Sequence, residues 1–262
     1  MTASRAALCD GVAELPPVGL DEVLSVAGLQ TRTDHKYLLT PEQFTAMLDG
    51  LGGDFSVLEM EGRRLFDYES VYFDTLDLAL FRAHRQGRRR RYKVRTRTYL
   101  DSQETMFEVK LKGHRGQTVK RRTPHPLHER HHLTREATSF LAEVLGDEYG
   151  VTPPDLVQAM VTTYARATLV NVHEGSRLTC DVGLVCAEGE TRQPGPDLVL
   201  VESKSASGDA PADRELARMG VRKQSLSKYC IGTALLHPHL PANPWNRLLR
   251  QRFGSQRQLL PA

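Results

Sequence analysis

Cysteine is scarce in this chain of 262 residues. The four present, Cys9, Cys180, Cys186 and Cys230, form no CxxC pair. Their spacing fits neither a zinc site nor a disulfide framework, and reduced thiols in a cytoplasmic protein are the expectation. Long apolar runs are missing too. Stretches such as Leu198–Val201 fall far short of the ~20 residues that cross a bilayer as a helix. The first thirty residues show no basic end followed by a long apolar core, so no secretory signal is expected. Neither GxxxxGK[ST] nor GxGxxG occurs, which argues against a P-loop or Rossmann nucleotide site. Aromatic residues are 6% of the chain, too few to suggest the stacking platforms that accompany single-stranded nucleic-acid binding.

What is present is an ordinary soluble composition, 40% hydrophobic and 26% charged, on a chain long enough to bury a sizeable core. Thirty-five Lys and Arg against 32 Asp and Glu leave a formal charge of +3. That near-balance hides a local excess. Residues 82–97 read RAHRQGRRRRYKVRTR without a carboxylate. Such density requires an anionic partner or a strongly hydrated face.

Along the chain, residues 1–30 read as a weakly helical lead-in. Thr40-Pro41-Glu42-Gln43 opens a helix with a capping box, and Gly52-Gly53 ends it. From 64 to 124 the apolar period is two, with turn residues between runs. Helical spacing returns at 134–146, and a short helix is expected after Pro153-Pro154. Strand-like runs follow at 162–170, 176–185 and 197–205, then helices at 211–219 and 227–237, the last stopped by Pro238. One α+β domain over 31–237 with a basic tail over 238–262 is the simplest reading.

The strands carry their polar residues in an unusual way. Alternate residues share a face. Arg91, Lys93, Arg95 and Arg97 therefore lie together, as do Glu108, Lys110 and Lys112. Arg177, Thr179 and Asp181 share a face, as do Glu202 and Lys204, and Arg32, Asp34 and Lys36. Arg166 stands between Tyr164 and Thr168. One such face is the solvated side of any half-buried antiparallel sheet. Five or six strands of long cations with isolated glutamates suggest instead a closed antiparallel barrel whose lumen is filled by an anion. Polyphosphate groups suit Arg forks and mobile Lys charges.

The ordered segments RTDHKYLL (31–38), YESVYFDT (68–75), RYKVRTRTY (91–99), FEVKLKG followed by KRR (107–122), TYARATL (163–169), RLTCDVGL (177–184), LVESKS (200–205) and SKYC (227–230) resemble the VTC domain. That domain is the polyphosphate polymerase branch of the triphosphate tunnel metalloenzymes. The resemblance implies an eight-stranded antiparallel tunnel with helices outside. It also implies transfer of the ATP γ-phosphate onto inorganic polyphosphate with Mn2+ or Mg2+. By position, Lys36, Arg95, Arg97, Arg166, Arg177 and Lys228 match catalytic cations. Lys110 and Lys112 match the ExKxK strand, and Arg91, Lys93, Lys110, Lys112, Lys120, Lys204 and Ser227 are the expected substrate-binding residues. Glu202 matches the metal-binding glutamate, with Glu108 its rival. Ser203 stands where a bulkier apolar residue is usual, and it faces outward. Arg88–Arg91 is more basic than the family pattern requires.

A phosphate nucleophile is anionic already, so a site rich in Arg and Lys can be catalytic without a protein base. A hydrolase of the same fold is the alternative, although Arg32-Thr33-Asp34-His35-Lys36 lacks the paired glutamates of ExExK. A non-enzymatic polyphosphate binder is a third. Nucleic acid is not an expected partner, because the cations alternate along strands instead of lining one helix. Association with a membrane stays open at the tail, where Trp245, Leu248, Leu249 and Phe253 with Arg247, Arg250 and Arg252 suit an amphipathic helix; docking on its own domain is the simpler outcome. His125, His128, His131 and His132 read as a surface loop, and Gly113–Gly116 as a hairpin turn.

Overall fold

The computed structural model describes residues 1–27, 33–113, 118–206 and 208–254. Arg32, the 114–116 part of the expected hairpin turn and the end of the tail lie outside the described residues. Helices α1 (Ala3–Ala13), α2 (Leu20–Ala27), α3 (Pro41–Leu51), α4 (Ala79–Arg85), α5 (Arg135–Tyr149), α6 (Pro211–Arg218), α7 (Lys228–Leu236) and α8 (Asn246–Arg252) accompany eleven strands. These are β1 (Pro17–Val18), β2 (Thr33–Leu39), β3 (Phe55–Leu58), β4 (Phe66–Asp74), β5 (Tyr92–Tyr99), β6 (Glu104–Lys112), β7 (Thr118–His125), β8 (Val157–Asn171), β9 (Ser176–Glu188), β10 (Thr191–Pro194) and β11 (Val199–Ser205). The fold is α+β, and the main strand order is β2-β11-β9-β8-β4-β5-β6-β7.

This order is open, which corrects the closed barrel expected from the sequence. Strands β2 and β7 stand at its two ends, and no ladder joins them among the described residues. Both edges are blunted against further pairing. The β2 edge is occupied where the Gln224 N–H donates to the Lys36 carbonyl at 2.7 Å. Strand β7 carries Lys120, Arg121, Arg122 and Pro124, all exposed. Charge and proline are common protections of a free strand edge.

The chain divides into two compact units. The first comprises Met1–Asp67, Tyr164–Leu184 and Pro196–Ser225. Its strands bury one face, with Tyr37, Leu39, Ala165, Ala167, Leu169, Leu178, Cys180, Val182, Val199 and Val201 packed against Leu8, Val12, Phe44, Met47 and Leu216 of α1, α3 and α6. The expected capping box forms on α3: Thr40 Oγ1 accepts from Gln43 N, and Gln43 Oε1 accepts from Thr40 N. Gly52 ends the helix at φ 64°, a left-handed value that glycine adopts without Cβ strain. Helix α1 is anchored in this unit at both ends. Asp197 accepts the Ala3 and Ser4 N–H groups, each at 3.0 Å. At the other end of α1, Arg64 donates to the carbonyls of Val12, Ala13 and Leu15. Helix ends leave such groups without intrahelical partners, and both ends of α1 are thereby satisfied.

The second unit comprises Tyr68–Thr163, Val185–Gly195 and Leu226–Ala262. Val71, Phe73, Val94, Phe107, Val109 and Leu111 form its apolar sheet face, covered by Leu141, Val144 and Leu145 of α5. Helix α4 is absent from the sequence reading because its cap is remote. Asp74 accepts the N–H groups of Thr75, Leu80 and Phe81. No helix follows Pro153-Pro154, where β8 begins at Val157; proline and the residue before it favour extended backbone. The tail helix docks on its own unit. Leu248 and Leu249 are buried, and the buried Trp245 packs on Phe81 with centroids 5.8 Å apart. No helix of the described residues is long and apolar enough to cross a membrane.

Candidate functional site

In the second unit, the face opposite the core is cationic, and register decides what meets. Tyr72 lies opposite Arg95, and Arg95 opposite Glu108. Lys93 lies opposite Lys110, and Lys110 opposite Lys120. Like charges directly opposite across strands repel, and Glu108 offsets part of this repulsion through Lys120. Glu108 is the carboxylate that meets these cations. Glu108 is 2% exposed; its Oε2 accepts from Arg95 Nη2 and Nε at 2.6 and 2.8 Å, and Lys120 Nζ lies 2.5 Å from its Oε1. Burial pushes the Glu108 carboxyl up, but Arg95, Arg97 and Lys120 together outweigh it and hold it well below the usual carboxylate range.

Aromatic side chains position these arginines. Arg95 lies 5.7 Å from the Tyr72 ring centroid and donates to its hydroxyl at 3.1 Å. Arg97 lies 5.7 Å from the Tyr68 ring. Tyr72 in turn stacks on Tyr229 with centroids 5.2 Å apart, and the Tyr229 hydroxyl donates to buried Asp74. Ser227 is the N-cap of α7, its hydroxyl accepting from Cys230 N. Lys228 follows at the first helical position, close enough to Cys186 to draw its thiol down against the upward push of burial. Arg91 turns toward its own loop, donating to the Gly87 and Arg88 carbonyls.

In the first unit, the corresponding polar face gathers Arg166, Asp181, Arg177, Thr179, Glu202, Lys204 and Lys36. Glu202 is opposite Lys36 on one side and Thr179 on the other. Lys204 is opposite Asp34 and Arg177. Arg166 grips Asp181 with two bonds, Nε to Oδ1 at 2.6 Å and Nη2 to Oδ2 at 2.8 Å, and its guanidinium lies 5.3 Å from the Tyr164 ring. Lys204 donates to Thr179 Oγ1 at 2.9 Å, and its Nζ lies 3.6 Å from Glu202 Oε1. Burial draws Lys204 down to about 7, Glu202 pulls it up, Arg166 and Arg177 push it down, and Asp34 opposes them.

Sequence reasoning found the cations and missed what orients them. Tyr72 and Tyr229 stand in the quoted motifs, and the Asp181 side chain shares a face with Arg177; only strand alignment assigns their partners. Ser203 does face away from this polar surface, as expected, but it is not idle there. Its hydroxyl donates to Asp213, which also receives Tyr37 Oη and Ala210 N–H and contacts His35 Nδ1. This network pins α6 to the sheet. The histidine loop holds no candidate metal cluster among the described residues. His125 is buried against Phe107, its Nε2 3.1 Å from the Glu129 carbonyl oxygen.

The profile of the VTC domain matches residues 31–237. The chain belongs to the VTC domain family. It is thus one of the tunnel enzymes concerned with triphosphate and polyphosphate. No curated protein matches the chain. Among solved structures, it resembles a Vibrio parahaemolyticus protein described as a candidate adenylate cyclase, at 16% identity and TM-score 0.42, over 76% of this chain and 95% of that one. A Hippeastrum protein described by its dominant triphosphatase activity matches at 15% identity and TM-score 0.44, over 78% and 95%. A Pyrococcus horikoshii protein matches at 12% identity and TM-score 0.40, over 73% and 91%.

The VTC family implies a divalent ion. Among the described residues no three His, Cys, Asp or Glu side chains converge into a cage. Glu108 is a poor ligand, with both oxygens engaged by cations. Glu202, 15% exposed at its side chain and with Lys204 beyond hydrogen-bond distance, fits the Mg2+ habit of one carboxylate supplemented by substrate phosphates and water.

Proposed function

We propose that this VTC domain is a polyphosphate polymerase that transfers the γ-phosphate of ATP onto a growing inorganic polyphosphate chain. The observation that carries this reading is the engagement of the buried carboxylates. Glu108 is held by Arg95 and Lys120, and Asp181 by Arg166. Each is thereby disfavoured as a proton acceptor. Water as a nucleophile needs such an acceptor. A terminal phosphate of polyphosphate arrives already ionised and needs only positioning and charge neutralisation.

In this reading Arg95, Arg97, Arg166 and Arg177 bind phosphoryl oxygens with forked donors. Lys93, Lys110, Lys120 and Lys112 carry the polyanion along the sheet face, while Lys204 and Lys36 flank Glu202. Lys228 contributes charge from the start of α7, and Ser227 sets that start by capping. Glu202 would hold Mn2+ or Mg2+ together with substrate oxygens. When bound, the ion supplies charge neutralisation on the transferring group. The residues of this chain orient the two phosphates and hold no proton in transit.

Incubation with ATP and Mn2+, followed by gel separation of products, tests the reading. A ladder of oligophosphates degradable by an exopolyphosphatase is expected. Release of single phosphate without oligomers would overturn it in favour of a hydrolase. Tight polyphosphate binding without turnover would overturn it in favour of a binding module.

A further inference from the structure

The strongly basic stretch before β5 is not used by the reaction described above. Arg89 and Arg90 are exposed on the loop after α4, and together with Lys112, Gly113 and Tyr149 they line a cleft in the second unit. The floor of the cleft is fixed. Tyr149 Oη lies 2.7 Å from the Lys112 carbonyl oxygen and 3.0 Å from that of Arg91, sharing its one proton between them, and accepts from the Lys112 N–H at 3.2 Å. That hydroxyl ties the end of β6 to the start of β5. The loop itself is shaped by Arg91, which donates to the carbonyls of Gly87 and Arg88.

We propose that this cleft is an accessory polyanion site that takes phosphate groups of an inorganic polyphosphate chain extending beyond the Glu108 row. It rests on the polyphosphate reading above. Three observations carry it. Among the described residues the lining side chains include three cations and no carboxylate; Glu148, next to Tyr149 in sequence, is approached by Arg121 at 3.8 Å. The cleft shares Lys112 with the cationic face, where Lys112 is two residues from Lys110 in the row of Lys93, Lys110 and Lys120. The local field is positive enough to reach a neighbour. Half-buried His84 is pushed down to about 3, first by burial and then by Lys93, Arg91 and Lys112, against the lift of its bond to the Tyr92 carbonyl.

The chemistry favours polyphosphate over nucleic acid. Single-stranded nucleic acid needs exposed aromatic faces for its bases. Among the described residues the one aromatic side chain in the lining, Tyr149, is 7% exposed and its hydroxyl is committed to backbone. A chain of phosphates makes no such demand.

The test compares the wild type with the double variant Arg89→Ser, Arg90→Ser, both on an exposed loop. Binding of tripolyphosphate and of long-chain polyphosphate is measured against salt. Tripolyphosphate affinity is expected to stay unchanged. Long-chain affinity should fall by roughly tenfold at low salt. The slope of log Kd against log salt should drop by about 1.4, from about 0.7 per phosphate neutralised on a single-stranded polyanion. The double variant Arg89→Lys, Arg90→Lys should restore that slope. Unchanged long-chain binding in the Ser variant, with tripolyphosphate still bound, would overturn the accessory site alone. No binding of either anion by the wild type would overturn the polyphosphate reading and the site with it. Tighter wild-type binding of an oligothymidylate of matched charge, lost in the Ser variant, would overturn polyphosphate as the occupant.

Discussion

The two polar faces use similar residues and treat their carboxylates differently. In the second unit Glu108 is shared by Arg95 and Lys120, all within 2.8 Å. In the first unit Asp181 takes the whole of the Arg166 fork, while Glu202 has Lys204 at 3.6 Å. A cation-lined face needs some negative charge to stay folded when empty. Glu108 and Asp181 supply that charge at fixed positions. Glu202 lies opposite Lys36 and 3.6 Å from Lys204 Nζ, and its side chain is more exposed than those of Glu108 and Asp181.

The sharpest way to break this contrast is to remove one charge at a time. Glu202→Gln keeps size and removes the charge a divalent ion needs. Metal-dependent turnover should fall by about a thousandfold, equivalent to about 4 kcal/mol of barrier. Polyphosphate binding should hold or tighten, since a negative charge leaves a polyanion site. Glu108→Gln should retain its response to manganese. Manganese titrations of wild type and both variants decide the matter, and the opposite pattern would exchange the two roles.

The next effect is on folding. Asp181→Asn leaves Arg166, which is 8% exposed, without its carboxylate. Breaking a buried pair in this way costs about 3–5 kcal/mol, read as a lowered denaturation midpoint. Glu108→Gln should cost less. The Arg95 and Lys120 side chains are 19% and 33% exposed and can recover water. Equal losses for the two variants would refute the distinction between a sealed pair and a wet one.

Much of this arrangement was legible in the alternation of charge along each strand. The α3 boundaries were legible for the same reason, since Thr40, Pro41, Gln43 and Gly52 act on their own neighbours. What escaped depends on chain segments meeting. Helix α4 is capped by Asp74 from beyond its own first turn. The grip of Arg166 on Asp181 depends on how two strands align. The open edge of the sheet could not be read from period-two patterning, because a strand with one partner and a strand with two alternate alike; only Pro124 and the cations of β7 hint at it.

Acid should sharpen the comparison further. The Glu108 pKa in the folded protein lies below its value in the unfolded chain. Its contribution to stability is therefore complete above the unfolded carboxylate pKa of about 4.3, and is lost as pH falls through the lower folded value. Wild-type stability should decline more over that acid range than that of Glu108→Gln, which has no carboxylate to protonate at this position. Parallel acid profiles for the two proteins would mean that Glu108 contributes no such linkage.

The smallest effect separates two roles of one residue. Tyr229 offers a hydroxyl to Asp74 and a ring to Tyr72. Asp74 also accepts three backbone N–H groups, so it stays bonded when the hydroxyl goes. Tyr229→Phe should cost about 1.5–3 kcal/mol at most, the range for a hydrogen bond to a charged group, and less to the extent that those amides compensate. It should leave anion binding unchanged, because the ring still supports Tyr72. Tyr229→Ala removes the ring as well, and Tyr72 loses the surface that sets its hydroxyl at 3.1 Å from Arg95. Tripolyphosphate affinity should then fall severalfold, while a metal titration keeps its midpoint because Glu202 belongs to the other unit. Equal affinities for tripolyphosphate in the Phe and Ala variants would show that Arg95 is positioned by Glu108 alone, and that the aromatic stack serves only to hold α7 in place.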